Sequence, residues 1–398
     1  MLLADTQLRG LSLLIVSHVD HYEWNGELSA YGPYAREIDI WADLFSEIVI
    51  ASPLLHAQPP RDCLPFSRSN IRMAPQRRSG GDRFTAKAMQ IVRLPSLIVR
   101  LARTMRGRDA IHVRCPGNLG LLGVILAPLF GVPVVAKYAG QWNGYRGEPL
   151  SVKLQRWILG SPWWRKGVVT VYGEWPGQPR QVVPFFTSMM TEQQVRTAAV
   201  AADSKTLTSP LQILYAGRLV AAKCVGTLID AAAELKRQRL GFELHIVGDG
   251  EERSSLEQRA QAAGLGGSVH FHGAVSFSEA MRWHARANLL VLPSEHSEGW
   301  PKVLAEAMCH GVVCIGTDHG LLPWMLAGRG RVFHAGCADS LAAEILTVAG
   351  DEAMYRRLSR ESARWAQQYS IEKLRDALAE LLADRWGAQP AKEPAVGR

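Results

Sequence analysis

The sequence predicts an α/β protein of two Rossmann-like domains, and three observations predict it. The chain has 398 residues, whereas single domains usually run about 100 to 200. Short apolar runs alternate with helical patterns in both halves, as they do in parallel sheets wrapped by helices on both faces. Between the halves, 190–209 is polar and alanine-rich and ends in Ser209-Pro210, which reads as a linker. Apolar residues make up 47% and charged residues 21%, enough for a core in each half.

The first half opens with a strand at 11–17. A polar and aromatic loop runs from there to Gly32, followed by a helix at 34–45 and a strand at 47–51. Pro, Arg, Ser and Gly crowd 56–84, which reads as irregular. A basic amphipathic helix follows at 95–106, then a strand at 110–113. The 18 residues 119–136 carry no charge, which is the lower length limit for a membrane span. Pro128, Gly131 and Pro133 interrupt them, so a buried helix, a turn and the strand 134–138 are expected instead. The second half is more regular. Strands at 211–216, 243–247, 268–272, 289–292 and 312–316 alternate with helices at 225–237, 251–263, 278–287 and 302–310. Helices finish the chain.

Residues 1–200 hold 23 Lys and Arg against 14 Asp and Glu, and the remainder holds 22 against 23. The positive field belongs to the first half. It suits an anionic partner there (membrane surface, phosphorylated acceptor or nucleic acid); arginine-rich codon usage explains it equally well. The six cysteines include no C-x-x-C pair and no zinc spacing. There is no N-x-[ST] acceptor, and the apolar run 11–16 is too short for a signal peptide. The chain therefore reads as cytoplasmic, with reduced thiols.

Two segments carry chemistry. In Pro293-Ser294-Glu295-His296-Ser297-Glu298-Gly299-Trp300-Pro301-Lys302-Val303-Leu304-Ala305-Glu306 a buried strand leads through a loop into a helix. Pro301 suits the first helical turn. The amides of Gly299, Trp300 and the first turn face whatever lies beyond the strand end, where open α/β sheets bind ligands and a helix N-terminus favours anions. Glu298 and Glu306 can meet one ligand from two depths. In the second segment, Tyr215-Ala216-Gly217-Arg218-Leu219-Val220-Ala221-Ala222-Lys223, Gly217 permits close approach. Arg218 and Lys223 supply the positive charge that a departing nucleoside diphosphate requires.

Together these segments resemble the retaining glycosyltransferases of GT-B fold, family four or glycosyl transferases group 1. The hallmark of that family is G-R-L-x3-K followed by E-G-x-P and a second Glu eight residues after the first. The resemblance covers most of 210–320 and extends more weakly over the first half. It implies two Rossmann-like domains facing across a cleft: an acceptor-binding domain at 1–195 and a nucleotide-sugar-binding domain at 205–370. A C-terminal helix at 371–387 would pack back toward the first domain, and 388–398 is expected to be a disordered tail. The resemblance further implies that Arg218 and Lys223 hold the donor diphosphate and that Glu306 binds the ribose. Glu298 with the amides of Gly299 and Trp300 would hold the transferred sugar, with Pro301, Val303 and Leu304 beside them. Gly248, His272 and Gly273 would line the nucleobase. A diphosphate oxygen would take the acceptor proton in a front-face attack, so the catalytic set is Arg218, Lys223 and Glu298. Cys224 departs from the family, which usually has Gly there.

The first half departs further. The family often pairs glycines in its first loop; here only Gly32 is retained. Where the family often has a histidine near the reaction centre, this chain has Arg114, which cannot act as a base at neutral pH. It could hold an acidic acceptor or add phosphate contacts, or it could be a surface salt-bridge arginine. His18 and Asp20 lie just beyond a strand and are expected at the acceptor, as are Tyr138 and Trp142, whose rings suit stacking on sugars. In the helix at 95–106, Leu97, Ile98, Leu101 and Met105 oppose Arg100, Arg103 and Arg106, a face suited either to anionic lipid or to a core with a solvated side. No D-x-D motif is present and no metal or other cofactor is expected; the nucleotide-sugar donor is a substrate.

The leading expectation is thus a hexosyltransferase acting on a glycan or lipid-linked acceptor in bacterial exopolysaccharide or lipopolysaccharide assembly, with peripheral contact to anionic membrane at the inner face. The alternative is a GT-B enzyme decorating a small-molecule natural product or lipid. A nucleic-acid-binding or regulatory protein is disfavoured, because the basic residues are scattered and form no nucleic-acid module.

Overall fold

The computed structural model describes residues 8–60, 62–78, 84–145, 147–295 and 299–387. The chain forms two compact units, one running to Phe185 and resuming at Glu372, the other spanning Phe186–Ile371.

The strands of the first unit are β1 (Ser12–Val16), β2 (His21–Trp24), β3 (Glu27–Tyr31), β4 (Glu47–Ala51), β5 (Leu54–Leu55), β6 (Cys63–Pro65), β7 (Ile71–Met73), β8 (Ala110–Cys115), β9 (Val134–Tyr138), β10 (Val168–Tyr172) and β11 (Val182–Phe185). Its helices are α1 (Gly32–Leu44), α2 (Phe84–Met105), α3 (Asn118–Leu126) and α4 (Leu150–Gly160). Seven strands form one parallel sheet in the order β11-β10-β9-β8-β1-β4-β7. β1 is central: Leu13, Leu14, Ile15 and Val16 are fully buried, as a strand covered on both faces requires. The charge-free stretch 119–136 is α3, a 3-10 turn and β9. No helix among the described residues is long and apolar enough to cross a membrane.

A small second sheet, β5-β2-β3-β6, occupies what the sequence reading left as loop. Its hairpin β2–β3 turns at Asn25-Gly26, both at positive φ (52° and 79°). An Asn-Gly pair between two strands is the strongest local hairpin signal, and the reading passed over it. The helix expected at 95–106 begins earlier, at Phe84, with Pro95 inside it. Leu97, Leu101 and Met105 are buried in the core while Arg100, Arg103 and Arg106 are exposed, so these three apolar residues of α2 are spent on the core; Ile98 is half-buried, and Leu94 and Val99 stay exposed.

The second unit contains β12 (Leu211–Ala216), β13 (Phe242–Val247), β14 (Val269–Gly273), β15 (Leu289–Leu292), β16 (Val313–Thr317) and β17 (Gly330–Phe333). Its helices are α5 (Glu192–Asp203), α6 (Val225–Arg237), α7 (Arg253–Ala262), α8 (Phe277–Arg286), α9 (Lys302–Cys309), α10 (Leu322–Leu326), α11 (Ala338–Ala349) and α12 (Glu352–Ala366). The last helix, α13 (Ile371–Trp386), belongs to the first unit, where Trp386 lies 6.1 Å from Phe45. The six strands are parallel, in the order β14-β13-β12-β15-β16-β17.

The stretch read as a linker at 190–209 is mostly α5. Thr191 and Gln194 form a capping box at its start, and Val195 and Ala198 are buried. Alanine is the best helix former and T-x-x-Q is a helix-start signal; both were legible. Residues 388–398, expected to be a disordered tail, lie outside the described residues.

Because α2 spends Leu101 on the core, Leu101→Ala should cost about 3 kcal/mol. Arg100→Ala should stay within about 0.5 kcal/mol. Chemical denaturation of the two variants measures both.

Candidate active site

In the second unit the strand order reverses between β12 and β15, so the loops leaving their carboxyl ends diverge and open a crevice. Both motif segments leave the sheet at this point.

The loop after β12 is held main chain to main chain. The Gly217 amide donates to the Val247 carbonyl (3.0 Å), Leu219 N–H to Asp249 O (2.9 Å) and Glu252 N–H to Leu219 O (3.0 Å). Gly248 N–H donates to Gly273 O (2.8 Å), joining the loop after β14. A Cβ on Gly248 would overlap the Gly217 carbonyl oxygen, and one on Gly250 would overlap that of Leu219. Gly248 also sits at φ +136°. Beneath the loop, Tyr215 Oη donates to Arg218 O (2.9 Å). With its backbone fixed, Arg218 points an exposed side chain outward and has no ion-pair partner among the described residues. Lys223 ends a single 3-10 turn, Ala221–Lys223.

Cys224 follows in the left-handed conformation (φ 50°, ψ 39°) at the start of α6. That is why glycine is the ordinary occupant of this position: a Cβ there costs about 1–2 kcal/mol. The Cys224 thiol is pushed up by burial, and Glu295 lies beside it. The sequence reading quoted Glu295 only as part of the motif. The structure sets it at the end of β15 against Cys224 and Gly336.

Of the second segment, His296, Ser297 and Glu298 lie outside the described residues, so the expected sugar-binding and catalytic Glu298 has no described position. Pro301 is the residue before α9, one position earlier than expected, and its carbonyl accepts the Leu304 N–H (3.0 Å). No described side chain caps α9. The Trp300 ring is buried among Trp365 (5.8 Å, stacked), Tyr369 (5.3 Å) and Trp324 (6.5 Å). Leu304 is fully buried and Val303 half-buried. The side chains of Trp300 and Leu304 are therefore core, and any ligand contact from them is through the main chain. Glu306 Oε2 lies 3.9 Å from Nε2 of His284. Burial, His310 and Lys205 lower the pKa of His284 to about 3, so that ring is neutral.

At β14, Gly273 meets the β13 loop, whereas the exposed His272 turns to His245 (Nε2 to Nδ1, 3.1 Å) and Trp283 (4.3 Å). The structure adds a polar cluster that the sequence reading missed. Beyond β16, Asp318 accepts from His319 Nδ1 (2.7 Å), His334 Nδ1 (3.0 Å) and the Ala335 N–H (3.2 Å). Burial opposes the charge, but these donors hold the carboxyl below its ordinary range. A polar Asp-His-Gly triplet after a buried strand was the only available signal.

The first unit has its own reversal, between β1 and β8. His18, after β1, lies directly on Gly117, after β8: a Cβ at Gly117 would overlap the imidazole. Partial burial and Arg114 lower the His18 pKa against the pull of Asp20. Asp20 itself accepts two bonds from Arg78 (3.0 and 2.6 Å). Gly32 begins α1 and donates to Asp62 O (2.8 Å).

Arg114 is committed internally. Its Nη1 donates to Glu37 Oε1 (3.1 Å), and Lys137 Nζ donates to Glu37 Oε2 (2.8 Å). The guanidinium also lies 5.0 Å from the centre of the Tyr34 ring. Arg114 is thus a salt-bridge arginine, but an inward one rather than the surface pair expected, with its partner Glu37 buried. Tyr138, expected as a sugar platform, is 1% exposed and packs edge-on against Trp142 (5.3 Å). It is a core residue, because its strand is buried on both faces; Trp142 lines a groove beside α4.

Residues 200–365 match the model of the family Glycosyl transferases group 1. The chain is 32% identical over 180 residues to an exopolysaccharide phosphotransferase of Streptomyces coelicolor (44% of this chain, 19% of the relative). It is 30% identical over 192 residues to the lipopolysaccharide core biosynthesis glycosyltransferase LpsE of Rhizobium meliloti (47% and 54%). The chain therefore spans about half the length of one of these relatives and about a fifth of the other. Anabaena HepE, solved in complex with UDP, superposes with a TM-score of 0.64 at 15% identity, covering 94% of this chain and 100% of HepE. The two doubly wound units are those of the GT-B fold.

Two predictions follow from this geometry. Cys224→Gly should stabilise the protein by about 0.5 kcal/mol, the relief of the left-handed Cβ less the entropy glycine adds to the unfolded chain. Cys224→Ala should give no gain, and the two denaturation midpoints decide. Burial alone raises the pKa of Glu37, but Arg114 and Lys137 outweigh it and hold the carboxyl below its ordinary value of 4.5. Its stabilising contribution is complete above pH 4.5 and is lost as pH falls from there through the folded-state value. Glu37→Gln should cost about 3–5 kcal/mol at neutral pH and flatten the acid limb of the stability–pH curve.

Proposed function

We propose that this protein is a retaining glycosyltransferase. It moves a hexose from a nucleotide-sugar donor to a glycan or lipid-linked glycan in exopolysaccharide or lipopolysaccharide assembly, at the cytoplasmic face of the membrane. The observation that carries this reading is that the G-R-L-x3-K loop and the chain that leads to Glu306 both leave a doubly wound sheet at one strand-order reversal. The names of the two relatives support the pathway.

In this reading Arg218 and Lys223 neutralise the diphosphate as the bond to the sugar breaks, which is where fixed positive charge lowers the barrier most. Glu306 holds the ribose. Glu298 and the amides of Gly299 and Trp300 hold the sugar. The base lies against the Gly248 and Gly273 loops. A diphosphate oxygen receives the acceptor proton, so no protein base is required and no metal takes part.

Calorimetry with UDP, GDP, ADP and CMP tests the reading without knowledge of the acceptor, UDP first because HepE was solved with it. One nucleotide should bind preferentially, and Arg218→Ala should abolish that binding. Binding of none removes the donor reading. With a donor in hand, Arg218→Ala or Lys223→Ala should lose about 3 kcal/mol of transition-state stabilisation. Turnover within a few-fold of wild type in both would sink the diphosphate role. A chelator should leave the rate unchanged.

A further inference from the structure

We propose that the outer face of α4 and the turn after it form a docking surface for an anionic lipid bilayer. The inner side of α4 is ordinary: Gln155, Ile158 and Leu159 are buried. Its outer side carries Leu150, Leu154 and Trp157, which are 82%, 43% and 70% exposed. Their i, i+4, i+7 spacing makes one stripe. The turn Pro162–Trp164 adds Trp163, whose indole N–H donates to the Ile125 carbonyl (3.3 Å). That bond sets it beside the end of α3, where Ile125 and Leu129 are also exposed. Six large apolar side chains open to water in one region need a partner. In α2, by comparison, the stripe Leu97, Leu101 and Met105 is spent on the core.

Charge selects the partner. From Ala110 to Gly173 the sequence has seven Lys and Arg and a single acid, Glu148. The Glu148 side chain is fully buried and paired with Arg156 (2.6 Å), so it offers nothing to the surface. Lys153, Arg165 and Lys166 are exposed and have no ion-pair partner among the described residues. Apolar and basic groups share one continuous surface. A groove of about 640 Å³ holds Lys153, Trp157 and Pro162, and a second of about 480 Å³ continues from Pro162 to Trp163, Arg165 and Lys166. Leucines that reach the acyl boundary, tryptophans at headgroup level and cations on anionic headgroups are the elements of interfacial binding. A second copy of this face would bring the same three cations against one another, which disfavours a two-fold dimer.

The inference deepens the membrane-face part of the proposed function and does not depend on sugar transfer. Full-length protein is sedimented with vesicles of phosphatidylcholine alone and of phosphatidylcholine with phosphatidylglycerol. Wild type should pellet with the anionic vesicles only, and its tryptophan emission should shift to the blue. The Leu150→Glu/Trp157→Glu variant should bind at least about tenfold more weakly. Lys153→Glu/Lys166→Glu, or high salt, should abolish the preference for anionic lipid. Nucleotide calorimetry on the same variants should match wild type, which shows that they are folded and keeps this test separate from that of the donor site. Absence of wild-type binding to anionic vesicles overturns the proposal, as does undiminished binding of the Leu150→Glu/Trp157→Glu variant. A dimer dissolved by Leu150→Glu, with no vesicle binding, overturns it in favour of a second copy. Vesicle binding without binding of any nucleotide leaves this proposal standing and the donor reading fallen.

Discussion

Three strand-end loops of the second unit lie backbone against backbone at separations that exclude a side chain, and the candidate site depends on that constraint. Gly248 and Gly250 are where the exclusion acts: each faces a carbonyl oxygen of the Gly217–Leu219 loop where a Cβ would stand. The hydrogen bonds exchanged by these loops fix the backbone of Arg218, so the guanidinium is directed by a rigid support rather than by partners of its own. The same packing leads into the 3-10 turn that carries Lys223, and the strained backbone of Cys224 turns the chain into α6. Arg218 and Lys223 are thus placed by main-chain geometry, an arrangement that would cost little reorganisation on meeting the anion proposed above.

In the first unit the corresponding position is organised by charge. Glu37 is buried between Arg114 and Lys137 near the carboxyl ends of β8 and β9. Below it the neutral His112 stacks on Trp41 at 4.5 Å, its pKa lowered to about 3 by burial. Removing three charges from water is expensive, and the arrangement persists because each cation meets the carboxylate directly and faces an aromatic ring. The unit also separates two kinds of amphipathic helix. α2 has a basic face and buries Leu97, Leu101 and Met105, whereas α4 leaves its apolar stripe in water beside unpaired cations. Amphipathic pattern alone does not distinguish them; what packs beneath each helix does.

The second unit was the more legible in sequence. Five of its six strands fall within one residue of the expected bounds, since each is a short apolar run between clear helix signals; the edge strand β17 is not among the expected elements. Both motif loops were placed correctly at strand ends. The first unit was harder. There the β2–β3 hairpin stands where a loop is expected, although Asn25-Gly26 signals it; in the second unit α5 stands where a linker is expected, despite its capping box. Individual side chains were the least legible. The ring of Tyr138 suits stacking on a sugar, yet it is core, and the side chain of Leu304 is core as well. Period-two and period-3.6 patterns indicate which face a residue occupies, but not which face a neighbouring element covers.

The sequence by itself determined the class of fold, the glycines that permit close approach, and the residue types able to meet a diphosphate. These follow from local backbone sterics and from patterns of strand and helix, which need no knowledge of distant neighbours. Tertiary structure alone decided that Arg114 meets Glu37, 77 positions away in the chain. It likewise decided that Asp318 gathers His319 and His334, that His18 lies on Gly117, and that α4 keeps its leucines outside. Each is a long-range contact whose free energy depends on desolvation and packing, and those are set only when the sheets form.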